Sequence, residues 1–161
     1  MTTHTNGQIC YGVIISTEDD EGEIVFPWDK YEDGYGIEDW WIYDVLGFKH
    51  SFEIYDASGD YIDGVEPPNE KITQWYNERR EFEKIAPPLP VTLVNYCSND
   101  YPLYILAIPD TAKVACRGFP EVFNPEGLRV GPERQSLLDF CHEHGIKYQG
   151  EPQWYLSSYW G

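Results

Sequence analysis

Residues 69–85 read NEKITQWYNERREFEKI, and this stretch predicts the clearest helix of the chain. Its apolar residues recur at helical spacing and form one stripe, namely Ile72, Trp75, Tyr76, Phe82 and Ile85. Asn69 is suited to cap the start, and Ala86-Pro87-Pro88 ends the helix, because a residue that precedes proline disfavours helical geometry. We therefore predict a helix over about 69–86 with one face on a core.

Two other segments carry helix signals. Residues 132–144 begin with proline at the first helical position, and Gly145 follows their end. Residues 37–46 read IEDWWIYDVL, with two acids in the first turn, where the helix dipole favours carboxylates. These patterns predict a second helix over 132–144 and a short third helix over 37–46.

The remaining apolar runs are short and rich in β-branched and aromatic residues, as strands are. They lie at 9–16, 23–26, 51–56, 60–65, 91–97, 103–108, 113–116 and 153–160. The first run contains Gly12, which we expect at a bulge or a close backbone contact. Ala57-Ser58-Gly59 suits a hairpin connection, and the turns within 91–116 suggest an antiparallel meander. The predicted fold class is α+β, with helices packed on an antiparallel β-sheet.

The length of 161 residues suits one domain, and we predict a single domain over residues 1–161. The proline-rich stretch near 87–90 could instead divide the chain into an acidic N-terminal half and a near-neutral C-terminal half. The 26 aromatic residues (6 Trp, 13 Tyr and 7 Phe) exclude a disordered acidic chain, because they supply enough apolar surface for a core.

The charge is concentrated in one stretch. Residues 18–66 hold sixteen of the 28 acids and only two bases, whereas the whole chain has a net charge of −17. So negative a chain repels DNA and anionic membranes and attracts basic partners. We therefore expect no direct nucleic-acid binding and no membrane association. Without a basic, apolar leader or a run of roughly 20 apolar residues, the chain is expected to be cytoplasmic.

Motifs for chemistry are weak. From Asp56, a calcium loop would need glycine at its sixth position and glutamate at its twelfth, but Tyr61 and Pro67 stand there. Cys141 and His144 lie one helical turn apart, yet no second ligand pair accompanies them, so no metal is expected. Phosphate-binding and nucleophile motifs are absent, which leaves the catalytic residues unknown and no cofactor implied. The four separated cysteines are expected to be reduced and mostly buried.

The charge asymmetry then carries the functional hypothesis. An acidic surface with aromatic anchors suits a protein that binds and inhibits a basic, nucleic-acid-binding partner, as phage anti-defence or immunity proteins do. The residues predicted to contact the partner are Glu18, Asp19, Asp20, Glu21, Glu38, Asp39, Trp40, Trp41 and Asp44. A solvated acidic face with no partner remains open, as do a small hydrolase or ligand-binding domain with a carboxylate in an aromatic pocket, and a virion or assembly component.

Overall fold

The computed structural model describes residues 5–15, 26–28, 36–98, 102–116, 118–119, 121–122 and 133–160. They form an α+β fold, and the predicted class is confirmed. Contacts divide the chain into two compact units, one of Met1–Val25 with Pro90–Gly161 and the other of Phe26–Leu89. The boundary between Leu89 and Pro90 falls in the proline-rich stretch near 87–90, where the sequence indicated a possible subdivision. The single domain stays a prediction. None of the described helices is both long enough and apolar enough to span a membrane.

The first unit is built on a five-stranded sheet. Its strands are β1 (Thr5–Ile15), β2 (Thr92–Ser98), β3 (Pro102–Ala107), β4 (Lys113–Ala115) and β5 (Tyr148–Trp160). Their order is β3-β2-β5-β1-β4, and β3 also pairs with β1, so that four of the strands pair in a closed cycle. β4 pairs with β1 at residues 7–9, next to residues 12–14 that pair with β3, so β3 and β4 do not continue a meander.

One strand pairing is parallel. β2 and β5 run side by side at Cys97–Tyr159 and Ser98–Trp160, so the sheet is mixed and the prediction of an antiparallel sheet is wrong at this point. The strands also extend further than the apolar runs. β1 begins at Thr5, and its first residues pair with the end of β5.

Gly12 lies where β1 is crowded. A Cβ atom built on it would lie 2.3 Å from the carbonyl oxygen of Leu106, which leaves room only for glycine. The register between β1 and β5 also shifts between Gly12 and Ile14. Both parts of the prediction, a bulge and a close contact, are confirmed. Next to it, Cys10, Ile105 and Ala107 form the buried core cluster of the sheet.

The helix of the first unit agrees with the sequence. We label the helices in chain order, and α3 spans Glu133–Glu143. It buries Leu137, Phe140 and Cys141, and a left-handed Gly145 follows it. Burial of the thiol raises the pKa of Cys10 and of Cys141 to about 11. The other two cysteines, Cys97 and Cys116, are exposed, so the expectation of mostly buried thiols is half wrong.

The second unit contains α1 (Ile37–Trp40), which continues as a π-helix over Trp41–Val45, and α2 (Asn69–Glu83). Both helices were predicted. Pro68, not Asn69, is the N-cap of α2, because Pro67-Pro68 brings the chain in extended up to the first turn. Two members of the predicted apolar stripe are exposed: Tyr76 by 53% and Ile85 by 84%. Ile85 lies beyond the end of α2 at Glu83, so its side chain is not part of the apolar face of the helix.

Several predictions fall outside the described residues. These are the strand over 23–26 apart from Phe26 and the candidate contact residues Glu18, Asp19, Asp20 and Glu21. The predicted strands over 51–56 and 60–65 are wrong. That segment instead forms a tight turn with a single bridge between Tyr55 and Tyr61, followed by a 3-10 turn at Ile62–Gly64.

Candidate interaction surface

An aspartate builds the turn between Tyr55 and Tyr61. The Asp56 Oδ1 atom accepts hydrogen bonds from the backbone N–H of Ser58 at 2.8 Å and of Asp60 at 3.1 Å. The backbone N–H of Asp56 also donates to the carbonyl of Asp60 at 2.7 Å. A carboxylate that accepts from its own backbone in this way stabilises a tight turn. Asp56 therefore has a structural role in this turn.

The turn brings aromatic rings together. Tyr55 stacks on Tyr61, with ring centroids 5.1 Å apart, and meets Trp75 of α2 edge-on at 5.9 Å. Trp75 in turn contacts Tyr76 edge-on at 5.1 Å. Such stacked and edge-on pairs are favourable ring geometries. A chain of four rings thus runs from the turn onto the outer side of α2.

The segment that carries Tyr55 and Tyr61 also carries exposed apolar and acidic side chains. Ile62 and Val65 are exposed, Val65 by 70%, although both are aliphatic. Residues 53–66 carry five exposed carboxylates and no base. We call this set the aromatic–acid surface, and it consists of Tyr55, Tyr61, Ile62, Val65 and Tyr76 with Glu53, Asp56, Asp60, Asp63 and Glu66. It lies wholly within the second unit.

The predicted contact residues of the first helix have different environments. Glu38 and Asp44 are exposed. Asp39 is paired with Arg79 of α2 at 2.6 Å, and its other oxygen accepts from the backbone N–H of Gly36. Asp39 therefore joins α1 to α2.

The two tryptophans also differ. Trp40 is only 4% exposed and packs on Trp28, with ring centroids 5.6 Å apart. Trp41 is half-buried, and its indole N–H donates to the carbonyl of Pro87 at 3.1 Å. Trp40 is thus part of the core of its unit. The binding of a partner by the nine predicted residues stays a prediction, and Glu18–Glu21 lie outside the described residues.

A histidine network lies beside α2. His50 is hydrogen-bonded through Nε2 to the hydroxyl of Tyr43 at 3.0 Å, and its Nδ1 lies 3.7 Å from Glu78 Oε2. Burial lowers the pKa of His50 and raises that of Tyr43, so both groups are neutral near pH 7. Hydrogen bonds from the hydroxyl and backbone N–H of Ser51 lower the pKa of Glu78.

This network limits the hydrolase alternative. An acid catalyst needs a carboxyl group with a raised pKa, whereas Glu78 is held ionised by its donors. The groove beside it, about 940 Å³ in volume, is open to solvent. Among the described residues, no three His, Cys, Asp or Glu side chains are grouped so that they could hold a metal ion.

Comparison with known proteins places no further constraint on this surface. No family model, curated protein or solved structure matches the chain. The functional argument therefore rests on the residues themselves.

The sequence already displayed the five acids between 53 and 66, but not the exposure of Tyr76, Ile62 and Val65. No pattern of spacing could have revealed it, because these residues resemble core residues in type.

Proposed function

We propose that this chain is an interaction protein that binds a basic protein partner through the aromatic–acid surface and inhibits it. The observation that carries the proposal is the coincidence of exposed carboxylates and exposed apolar side chains in one short segment. Glu53, Asp56, Asp60, Asp63 and Glu66 have no base among them, and Ile62 and Val65 lie between them in sequence.

The two kinds of side chain have different physical roles. Carboxylates accelerate encounter with a basic surface and select against acidic partners. Tyrosine and aliphatic side chains that become buried on binding supply most of the affinity, as they do at interface hot spots. In a partner that uses basic side chains to hold phosphates, these carboxylates would pair with the same basic side chains. Inhibition then follows because the partner's nucleic-acid site is occupied.

The test compares charge-neutralised variants of equal net charge. The surface variant carries Asp60→Asn, Asp63→Asn and Glu66→Gln. The control carries Asp110→Asn, Glu121→Gln and Glu143→Gln, three exposed acids of the other unit. Each protein captures partners from a lysate at low and high salt, and the captured proteins are identified, purified and titrated.

We expect a basic protein that the wild type and the control bind, that the surface variant binds at least about ten-fold more weakly, and that dissociates as salt rises. The purified complex should also fail to bind nucleic acid. Equal capture by the surface variant and the control would contradict the proposal, as would a captured partner without a basic surface.

A further inference from the structure

The groove beside α2 is formed by one stripe of helical side chains and a facing segment. Glu70, Thr73, Asn77 and Glu81 succeed one another at intervals of three or four residues, so they lie along one face of the helix. Phe48 and Ser51 line the groove from the facing segment. The groove therefore has an aromatic wall, hydroxyl and amide groups along its middle, and a carboxylate near each end.

The carboxylates of the groove differ in their partners. Glu78, between Glu70 and Glu81, accepts hydrogen bonds from Ser51 and from Gln74. Its carboxylate therefore stabilises the fold and is not available to a ligand. Glu70 forms no hydrogen bond or ion pair with any described residue, and the neighbouring Lys71 is placed over the ring of Phe52 at 5.0 Å. Glu81 has only an exposed pair with Lys84, which contributes little and is easily exchanged.

The positions of Glu70 and Glu81 set a distance. Glu70 and Glu81 are eleven positions apart on α2. At roughly 1.5 Å of rise per residue, their backbones lie about 16 Å apart along the helix axis. An extended peptide advances roughly 3.3 Å per residue, so about five residues span that distance. Thr73 and Asn77 lie between the two carboxylates and can bond a peptide backbone alongside.

A buried histidine nitrogen without a short hydrogen bond lies close to the groove residue Glu78. The side chain of His50 is 1% exposed, and its Nδ1 has no hydrogen-bond partner among the described residues. It lies 3.7 Å from Oε2 of Glu78, a groove residue, which is too far for a hydrogen bond. Buried ring nitrogens are normally satisfied. Because this nitrogen is buried, a ligand reaches it only after a neighbouring side chain moves, and a peptide backbone, with a donor and an acceptor, then suits either tautomer.

We propose that this groove binds an extended segment of the basic partner in which two arginines lie about five positions apart and pair with Glu70 and Glu81. The inference rests on the proposed function and specifies which part of the partner is recognised. Lys49, exposed among the lining residues, disfavours a third basic side chain on the bound segment. Arginine is favoured over lysine because its planar guanidinium group matches a carboxylate in two-point geometry.

The experiment titrates the full-length, isotope-labelled protein with short acetylated peptides and follows backbone amide shifts by NMR. The main probe has two arginines about five positions apart. A second peptide has the same composition with adjacent arginines, and a third has citrulline in place of both. The variants are Glu70→Gln and Glu81→Gln. The charge-matched control is Asp110→Asn with Glu143→Gln, two exposed acids of the other unit, and it is compared with the double groove variant.

We expect shifts centred on Ser51, Thr73 and Asn77, with the spaced-arginine peptide bound more tightly than the other two. Each groove variant should weaken binding about two- to five-fold, the range for exposed ion pairs, while the control changes it less than about two-fold. Thermal unfolding should verify that the variants remain folded. Equal binding of the spaced and adjacent peptides would overturn the inference, as would an equal loss in the control, which indicates unspecific attraction.

Failure of the inference and of the proposed function are distinguishable. A basic partner that is released by neutralising Asp60, Asp63 and Glu66, but not by the double groove variant, supports the function and overturns the groove as a contact. Spacing-dependent peptide binding without any basic partner from the lysate supports the groove and contradicts the function.

Discussion

The imidazole of His50 stacks on the indole of Trp75, with ring centroids 3.9 Å apart and planes inclined by 24°. This contact encloses the histidine between the α2 helix and the edge of Phe48. Enclosure removes water from the ring, and the cost of charging it there is why the pKa of His50 lies below its ordinary value. The nearby carboxylates of Glu53 and Glu78 offset only part of that cost.

The first prediction concerns pH. Because the folded pKa of His50 is lowered, the unfolded chain binds this proton more readily than the folded chain does. The free energy of unfolding should therefore fall as the pH drops below about 6.5, the ordinary histidine value. His50→Phe keeps a ring on Trp75 but cannot titrate, so it should flatten this dependence between about pH 6.5 and the folded pKa.

Urea unfolding at several pH values measures the slope, with the exposed His142→Gln as the control. A slope that persists unchanged in His50→Phe would show that another group causes it. The hydrogen-bonded Glu78, whose pKa is lowered, contributes stability above about pH 4.5 and loses it below, whereas the His50 effect begins at higher pH, near 6.5.

The second prediction separates two adjacent acids of the first helix. Asp39→Asn keeps an acceptor for Gly36 but removes the charge that pairs with Arg79. Both partners are only 25% exposed, so we expect a loss of about 1 kcal/mol in the free energy of unfolding.

Glu38→Gln is the matched control, because Glu38 is exposed on the same turn, and it should change stability by less than about 0.5 kcal/mol. Chemical denaturation of both variants tests the difference. Equal stability of the two would mean that the ion pair with Arg79 adds nothing to the packing of α1 on α2.

The third prediction concerns two glycines of β1. Gly12→Ala would force a methyl group into the backbone carbonyl of Leu106, and neither strand can move without breaking its ladder. We expect a loss of about 3 kcal/mol or more. Gly7→Ala is the control, since a Cβ there meets nothing within 4 Å.

Urea unfolding should find the free energy of unfolding of Gly7→Ala within about 1 kcal/mol of the wild-type value. Alanine restricts the unfolded chain, which favours the folded state of this variant. A Gly12→Ala protein as stable as Gly7→Ala would contradict the close approach of β1 to β3.

The fourth prediction addresses the apolar part of the proposed interface. Val65→Ser should weaken binding of the captured basic partner about three- to ten-fold, because the variant lacks the apolar surface that the exposed Val65 would bury on binding. It should leave the melting temperature almost unchanged, because the side chain is already mostly in water. Isothermal titration with the purified partner measures the affinity.

Leu156→Ser is the control, as Leu156 is 84% exposed on β5 in the other unit. It should not affect partner binding. If both variants weaken binding equally, the contact is not confined to the aromatic–acid surface.

The sequence was most reliable where a pattern is local. The spacing of Ile72, Trp75 and Phe82 predicted α2, and the apolar runs located every strand of the described sheet. One failure is local, since the segments 51–56 and 60–65 form a tight turn and no strands. The other failures in the sheet involve partners that are distant in sequence. Nothing near Cys97 specifies that it lies beside Tyr159 in parallel, and nothing near Lys113 specifies that β4 pairs with β1.

The candidate surface divides in the same way. The count of acids without a base between Glu53 and Glu66 could be read directly, so the sequence by itself determined where negative charge accumulates. Which apolar side chains accompany that charge was decided only by the tertiary structure. Trp40 was an expected anchor but packs in the core on Trp28, whereas Tyr76 was an expected core residue but is exposed. Residue type sets how much a side chain gains from burial, but the packing of neighbouring elements decides which side chains are covered.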